Sequence, residues 1–283
     1  MRIFLLVAAL IFSLEAKSLF SNSDQKESAQ YINALKDLVI ATQKTRGLTN
    51  SYLNGNKSNL LLIHGTKRDM KKAIGTMESL PLSSTPVISK RSTSISEALI
   101  SLNSKAFKMK SDVAFDGYTE QIEQILMLAQ TVSKQHSSDL NPLGKEASAI
   151  MMETILPLTE QIGKMRGMGS GIVASGKINE TQKFSLVAML SEISDLDSKL
   201  QSSMRDVIYN HKEYYTANVQ SELALIQKSI VNYSSLTKNQ VLNASASVSS
   251  DEYFTKGTDI ISSLLKVFNA NNKAIIADSK GWI

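Results

Sequence analysis

The feature that most constrains the fold is an internal echo between two stretches that lie 120 residues apart. Residues 43–48 read Gln-Lys-Thr-Arg-Gly-Leu, and residues 163–168 read Gly-Lys-Met-Arg-Gly-Met. Each stretch lies on a seven-residue apolar seam, which is typical of a long amphipathic helix. The first seam comprises Ile32, Leu35, Val39, Thr42, Arg46, Thr49 and Leu53. The second comprises Ile155, Thr159, Ile162, Arg166, Gly169 and Val173. Both arginines are therefore predicted to face a helical core.

A second echo, at an offset of 139 residues, relates Phe115 and Thr119 to Phe254 and Thr258. Each half of the chain thus begins with an Arg-bearing helix and ends with a Thr-bearing one, which is the pattern of two related four-helix units. We predict an all-α, elongated fold of two pseudo-repeated four-helix bundles built from long helices. The half-repeats span about 24–139 and 143–278.

Eight helices are predicted from the apolar seams and from the Asn, Gly, Pro and Ser clusters between them. They cover about 24–52, 58–79, 88–110, 115–135, 143–174, 179–204, 212–241 and 251–277. Pro157 lies inside the fifth, where a kink or a restart is expected. Only four prolines and thirteen glycines occur in 283 residues, and the 42 % of hydrophobic residues suffices for a core.

Residues 1–16 resemble a secretory signal peptide: Arg2 precedes the apolar run 3–14, and Ala16 follows at a plausible cleavage site. We therefore expect a periplasmic or secreted protein, with retention of the segment as an anchor as the alternative. The chain contains no cysteine, which excludes disulfides and thiol chemistry. Its net charge of +5 is spread along the sequence without a basic cluster, so a nucleic-acid partner is not expected.

No arrangement of residues typical of catalysis is visible. The three histidines, at 64, 136 and 211, lack metal-ligand spacing, and no phosphate loop or dinucleotide fingerprint occurs. The glycines in residues 167–171 follow no strand, so we interpret them as clearance on a helix face rather than as a phosphate cradle. We predict a protein that is not an enzyme and that uses no cofactor or metal.

A guanidinium keeps its charge and is costly to bury alone, so each seam arginine should meet an anionic partner. Two alternatives remain open. Asp69 could pair with Arg46 and Asp197 with Arg166, in which case Asp197→Asn would destabilise the protein strongly. Otherwise a small anion is held between helices, because the planar fork of five guanidinium donors suits planar oxyanions.

Residues beside the two arginines could complete such a site. Lys44 and Lys164 each precede an arginine by two positions and should point to another, solvated face. Hydroxyl donors on the neighbouring seams are Thr42, Thr49, Thr119 and Thr258.

At these residues the chain resembles the nitrate- and nitrite-sensing (NIT) domain. Residues 38–53 are similar to its opening helix, which typically reads Leu-Gln-x-Glu-Arg-Gly-Leu, although Thr45 stands where that helix has Glu. Residues 163–170 resemble its second Arg-Gly segment, and 115–119 and 253–261 resemble two further landmarks. The likeness extends over about 24–278.

The resemblance implies an all-helical sensor that binds nitrate or nitrite inside the bundle. It identifies Arg46 and Arg166 as ligand-binding candidates, and the seam positions add Thr49, Thr119 and Thr258 to the predicted ligand-binding residues. Most family members carry an RNA-binding, kinase or chemotaxis output module, and none is recognised here. We therefore expect a membrane receptor or another signalling protein as partner, with a homodimer as an open alternative. The competing hypothesis is a structural or adaptor protein with ion-paired arginines.

Overall fold

The computed structural model describes residues 2–137, 140–243, 245 and 247–280, with side chains from residue 26 onward except 136, 137, 279 and 280. These residues form nine α-helices and no strand, which confirms the all-α prediction. The helices are α1 (Arg2–Leu53), α2 (Leu60–Ser79), α3 (Pro86–Lys105), α4 (Ser111–Ser137), α5 (Pro142–Ile150), α6 (Leu156–Ser175), α7 (Glu180–Asn210), α8 (Ala217–Leu236) and α9 (Ser250–Lys280).

The fifth predicted helix is divided into α5 and α6 by a π-helical turn, Met151–Ile155. This turn directly precedes Pro157, which has no N–H to donate and whose ring crowds the carbonyl four residues earlier. The seventh predicted helix is shorter than expected. Lys212–Tyr214 forms a separate 3-10 turn before α8, and a second π turn, Thr237–Val241, follows it.

The ends of the two Arg-bearing helices lie where the sequence placed them. After α1, Gly55 adopts a φ of +119°, and after α6, Gly176 adopts a φ of +64°, the left-handed region that glycine enters at little cost. The next long helix, α7, begins with a capping box between Asn179 and Gln182.

The helices pack as two four-helix groups that meet along α1 and α6. Helices α1–α4 pack together, as do α6–α9, and α5 packs against α9. Paired contacts in one register, such as Gln43 beside Gly163 and Gly47 beside Gly167, show that α1 and α6 run parallel. The seam positions are buried as predicted except at the ends, where Leu53 and Val173 are half-buried, and Arg46 and Arg166 are 0 % and 1 % exposed. The half-repeat boundaries themselves stay a prediction.

Residue 1 of the predicted signal segment, 1–16, lies outside the described residues. The rest of the segment is described only as backbone, at the start of α1. Across the described residues, no helix is both long and apolar enough to cross a membrane.

Candidate functional site

Arg46 is held by a carboxylate that the sequence analysis did not identify. Its Nη1 donates to Glu160 Oε1 at 2.6 Å and its Nη2 to Glu160 Oε2 at 3.2 Å. Gln43 Nε2 donates to the same carboxylate at 2.9 Å. This two-donor geometry is the strong form of an arginine–carboxylate pair, and both partners are buried.

Helix α4 supplies the other contacts of Arg46. Its Nη1 also donates to Thr119 Oγ1 at 2.9 Å, and the guanidinium carbon lies 4.9 Å from the centroid of the Phe115 ring. With these contacts, Nε is the one nitrogen of Arg46 that has no hydrogen-bond partner among the described residues. The expected pairing with Asp69 is wrong, because Asp69 is exposed on α2 while Glu160 of α6 takes its role.

Arg166 has the corresponding neighbours on α9 but lacks the carboxylate. Its Nη1 donates to Thr258 Oγ1 at 2.8 Å, and its guanidinium carbon lies 4.4 Å from the Phe254 ring centroid. Its Nε and Nη2 find no hydrogen-bond partner among the described residues. Burial, with a smaller contribution from nearby Arg46, lowers the pKa of Arg166 to about 10, although Tyr233 and Glu160 oppose the shift. Arg166 thus remains charged at neutral pH without an ion pair.

The expected partner of Arg166, Asp197, is not paired with it. Asp197 is buried on α7 and accepts a hydrogen bond of 3.1 Å from Gln201 Nε2. Burial raises the pKa of Asp197, partly offset by Gln201. Its environment therefore disfavours the ionised form that an ion pair with Arg166 would favour.

The repeat explains why only one arginine has a carboxylate. Glu160 precedes Arg166 by six residues, and the residue six before Arg46 is Ile40. The position on α1 that corresponds to Glu160 is therefore apolar. The sequence did contain a signal, because Glu160 is the one acidic residue in α6. A lone acid on a mostly buried helix is usually paired.

Thr119 and Thr258 meet the arginines, but in a different role from the one expected. Each hydroxyl accepts from an arginine and donates to the backbone carbonyl four residues earlier, at 2.9 Å in both cases. A hydroxyl carries one proton, so neither threonine has a proton left for an anion. They orient the guanidinium groups instead.

The other two seam threonines, Thr42 and Thr49, are also buried, and the ligand-binding role of Thr49 stays a prediction. Thr42 Oγ1 donates to the Leu38 carbonyl at 2.7 Å. The hydroxyl of Thr49 makes no hydrogen bond of standard geometry. It lies close enough to Tyr118 to reduce the rise in pKa that burial imposes on that phenol.

Glycines beside the arginines allow α1 and α6 to approach closely. A Cβ at Gly47 would lie 2.7 Å from Phe254 Cε2, and one at Gly167 would lie 2.9 Å from Phe115 Cε2. Phe115 thus stacks on Arg46 and contacts Gly167 of the other half. Phe254 stacks on Arg166 and contacts Gly47 in the same way. The prediction of clearance is confirmed, and it explains why each arginine is followed by glycine.

A groove lies between α8 and α9, and its lining includes Tyr233, which also approaches Arg166. It has a volume of about 350 Å³, and Lys256 also lines it. The Tyr233 hydroxyl and the Arg166 side-chain stem converge on Gly257, where a Cβ would lie 2.9 Å from the hydroxyl and 3.0 Å from Arg166 Cβ. Tyr233 and Gly257 therefore both lie beside Arg166.

The histidines lie apart from this site. His64 is exposed, and His211 Nε2 lies 3.8 Å from a carboxylate oxygen of Glu146. The side chain of His136 lies outside the described residues. No group of three or more His, Cys, Asp or Glu residues in the described parts of the chain could hold a metal ion.

Comparison with known proteins supports the fold and gives the family. No curated protein matches the sequence. Among solved structures, the chain is similar to that of the NasR transcription antiterminator, with a TM-score of 0.68 over 98 % of this chain and 75 % of that one, at 11 % identity. At that identity the likeness concerns the fold alone. The family model for nitrate and nitrite sensing, NIT, matches residues 37–267. Because this match covers most of the chain and includes both Arg-Gly segments, the chain belongs to the nitrate and nitrite sensing family.

Proposed function

We propose that the protein is an extracytoplasmic sensor that binds nitrate or nitrite inside the bundle, against Arg166. The observation that carries the proposal is a fully buried guanidinium with two unpaired donors, Nε and Nη2. A buried charge without a counter-charge is unfavourable, and a planar oxyanion can accept two parallel N–H bonds from one edge of a guanidinium. The family of the chain makes nitrate and nitrite the expected anions.

Arg46 contributes in another way. Its terminal nitrogens are occupied by Glu160, and its Nε is unpaired. Its charge acts on the same interior, since Arg46 lowers the pKa of Arg166. Glu160 offsets much of this charge, so Arg46 adds only a weak attraction for the anion, while Arg166 provides most of the direct hydrogen bonds.

Signalling would follow from a shift in helix packing. Without the anion, the uncompensated charge of Arg166 weakens the contact among α6, α8 and α9. With the anion, the charge is neutralised and one packing arrangement is favoured. The groove at Tyr233 provides the route of entry, and an exposed face of the favoured arrangement would be recognised by a membrane receptor, by another signalling protein or by a second copy of the chain.

Thermal melting of the full chain in a panel of sodium salts at matched ionic strength tests this proposal. We expect nitrate or nitrite to raise the melting temperature by several degrees over chloride, sulfate, formate and bicarbonate. A ligand at about 100 times its dissociation constant adds about 2.7 kcal/mol of stability.

Arg166→Met should abolish this shift. Lys164→Met is the matched control, since it removes the same charge from a residue two positions away that pairs with exposed Glu123. Wild-type nitrate affinity in both Arg166→Met and Arg46→Ala would show that the site is elsewhere.

A second candidate function has one observation in its favour. The Arg46–Glu160 pair is what a purely structural or adaptor bundle would contain. A panel in which no anion shifts the melting temperature would support that alternative.

A further inference from the structure

The interior around the α1–α6 contact carries a small set of charges. The buried charged side chains of the described residues are Lys36, Arg46, Glu160, Arg166 and Asp197. Lys36 lies ten residues before Arg46 on α1, where it pairs with exposed Asp37 and lies over the Phe268 ring. Asp197 is bonded to Gln201 on α7. Two guanidinium groups and one carboxylate therefore remain at the contact, with one net positive charge.

The side chain of Glu160 is itself a planar oxyanion, and it binds the terminal nitrogens of Arg46. It accepts two N–H bonds from Arg46, the arrangement that a bound nitrate would adopt on a guanidinium. In the repeat, the position that corresponds to Glu160 is Ile40, which carries no charge. Glu160 therefore does for Arg46 what a bound anion would do for Arg166.

This charge count limits which anion the interior can accept. One monovalent anion beside Arg166 brings the net charge to zero. A divalent anion such as sulfate would leave one uncompensated negative charge in a region that solvent does not reach, which is strongly unfavourable.

We propose that Glu160 is a selectivity-determining residue that restricts the site to a single monovalent oxyanion and rejects divalent ones. This inference rests on the proposed function, because it assumes that a small anion binds at Arg166. It assigns to Glu160 a task that a merely structural ion pair would not have. Its removal should change which anion binds, and not only how stable the protein is.

Titration calorimetry of the full chain with sodium nitrate, sodium nitrite and sodium sulfate measures this selectivity. For the wild type we expect one nitrate or nitrite per chain and a sulfate dissociation constant at least 100-fold higher. Glu160→Gln leaves two positive charges, so the sulfate-to-nitrate ratio of dissociation constants should fall at least tenfold. Glu153→Gln, which removes an exposed carboxylate seven residues before Glu160, should leave the ratio unchanged.

A second variant tests the same idea from the other half and does not depend on how Glu160→Gln folds. Ile40→Glu places a carboxylate where the repeat predicts a partner for Arg166, so the interior becomes neutral and nitrate and nitrite binding should weaken at least 100-fold. Ile40→Gln is its uncharged control and should weaken binding far less.

The outcomes separate the two proposals. If the wild type binds neither nitrate nor nitrite, the proposed function fails and this inference fails with it. If the wild type binds nitrate, an unchanged anion ratio in Glu160→Gln, two anions per wild-type chain, or full binding in Ile40→Glu would each overturn the role of Glu160 alone.

Discussion

The two arginines of this protein share three kinds of neighbour and differ in whether a carboxylate pairs with them. Each stacks on a phenylalanine, bonds a threonine hydroxyl and precedes a glycine at the α1–α6 contact. Arg46 has Glu160, whereas Arg166 has no carboxylate among the described residues. A buried charge is tolerated when it is paired and unfavourable when it is not. The first half therefore resembles a structural core, and the second resembles a site that needs a ligand.

The largest expected effect comes from removing the paired arginine. Arg46→Met would leave the Glu160 carboxylate buried without a counter-charge, which costs about 3–5 kcal/mol when one member of a buried pair is lost. Urea unfolding of the variant in nitrate-free buffer measures this loss. The double variant with Glu160→Gln should recover part of it, since the orphaned charge is then gone. A loss below about 1 kcal/mol would mean that the pair is open to solvent.

The two halves also differ in the residue that lies about one helical turn after the arginine. Three residues after the arginine, the first half has Thr49 and the second has Gly169. The Tyr253 ring lies against Gly169, and its hydroxyl is 2.8 Å from Thr237 Oγ1. A Cβ at Gly169 would overlap this rigid ring. We expect Gly169→Ala to lower the free energy of unfolding by about 2–3 kcal/mol, as overpacking does.

Gly65→Ala is the control for that measurement. Gly65 lies in α2 with nothing near its missing Cβ. Alanine there should stabilise the protein by up to about 1 kcal/mol through helix propensity. Similar behaviour of the two variants in urea unfolding would contradict the close packing of Tyr253.

Much of this comparison could be predicted from the sequence. The apolar seams placed both arginines on core-facing stripes, because a helix repeats its buried face regularly. The two internal repeats assigned Arg46 and Thr119 to one half of the chain and Arg166 and Thr258 to the other. The carboxylate was missed because it comes from the other half. Which residue of α6 faces Arg46 depends on the register between two helices that are distant in sequence, and a single sequence does not encode that register visibly.

The hydroxyl roles were misjudged for a related reason. The sequence places Thr119 and Thr258 near the arginines but does not show where their protons point. In a helix, a threonine hydroxyl commonly donates to the carbonyl four residues earlier. Both threonines do so, which leaves only acceptor positions for the arginines.

A smaller effect, of opposite sign, is expected at the unpaired arginine. Arg166→Met should raise the free energy of unfolding in nitrate-free buffer by about 1 kcal/mol. Removing an uncompensated buried charge is favourable, and the lost contacts with Phe254 and Thr258 offset only part of the gain. The same unfolding measurement in saturating nitrate should reverse the order, with the wild type more stable. Destabilisation like that of Arg46→Met in nitrate-free buffer would mean that Arg166 has an internal counter-charge.

The smallest expected change in stability concerns Asp197, which forms an ion pair with neither arginine. Burial raises the pKa of Asp197 above its ordinary value of 3.8, so the folded protein holds this proton more tightly than the unfolded chain does. Stability is therefore lost as the pH rises from about 3.8 through the folded pKa. Asp197→Asn keeps an oxygen that can accept from Gln201 and removes the charge.

We expect Asp197→Asn to be more stable than the wild type at pH 7 by less than about 1 kcal/mol, with the difference vanishing in acid. Urea unfolding of both proteins across this pH range tests the sign. A paired Asp197 would behave in the opposite way: its pKa would be lowered, and the asparagine variant would lose stability at neutral pH. The sign of the stability difference at neutral pH therefore reports whether Asp197 is a counter-charge for Arg166.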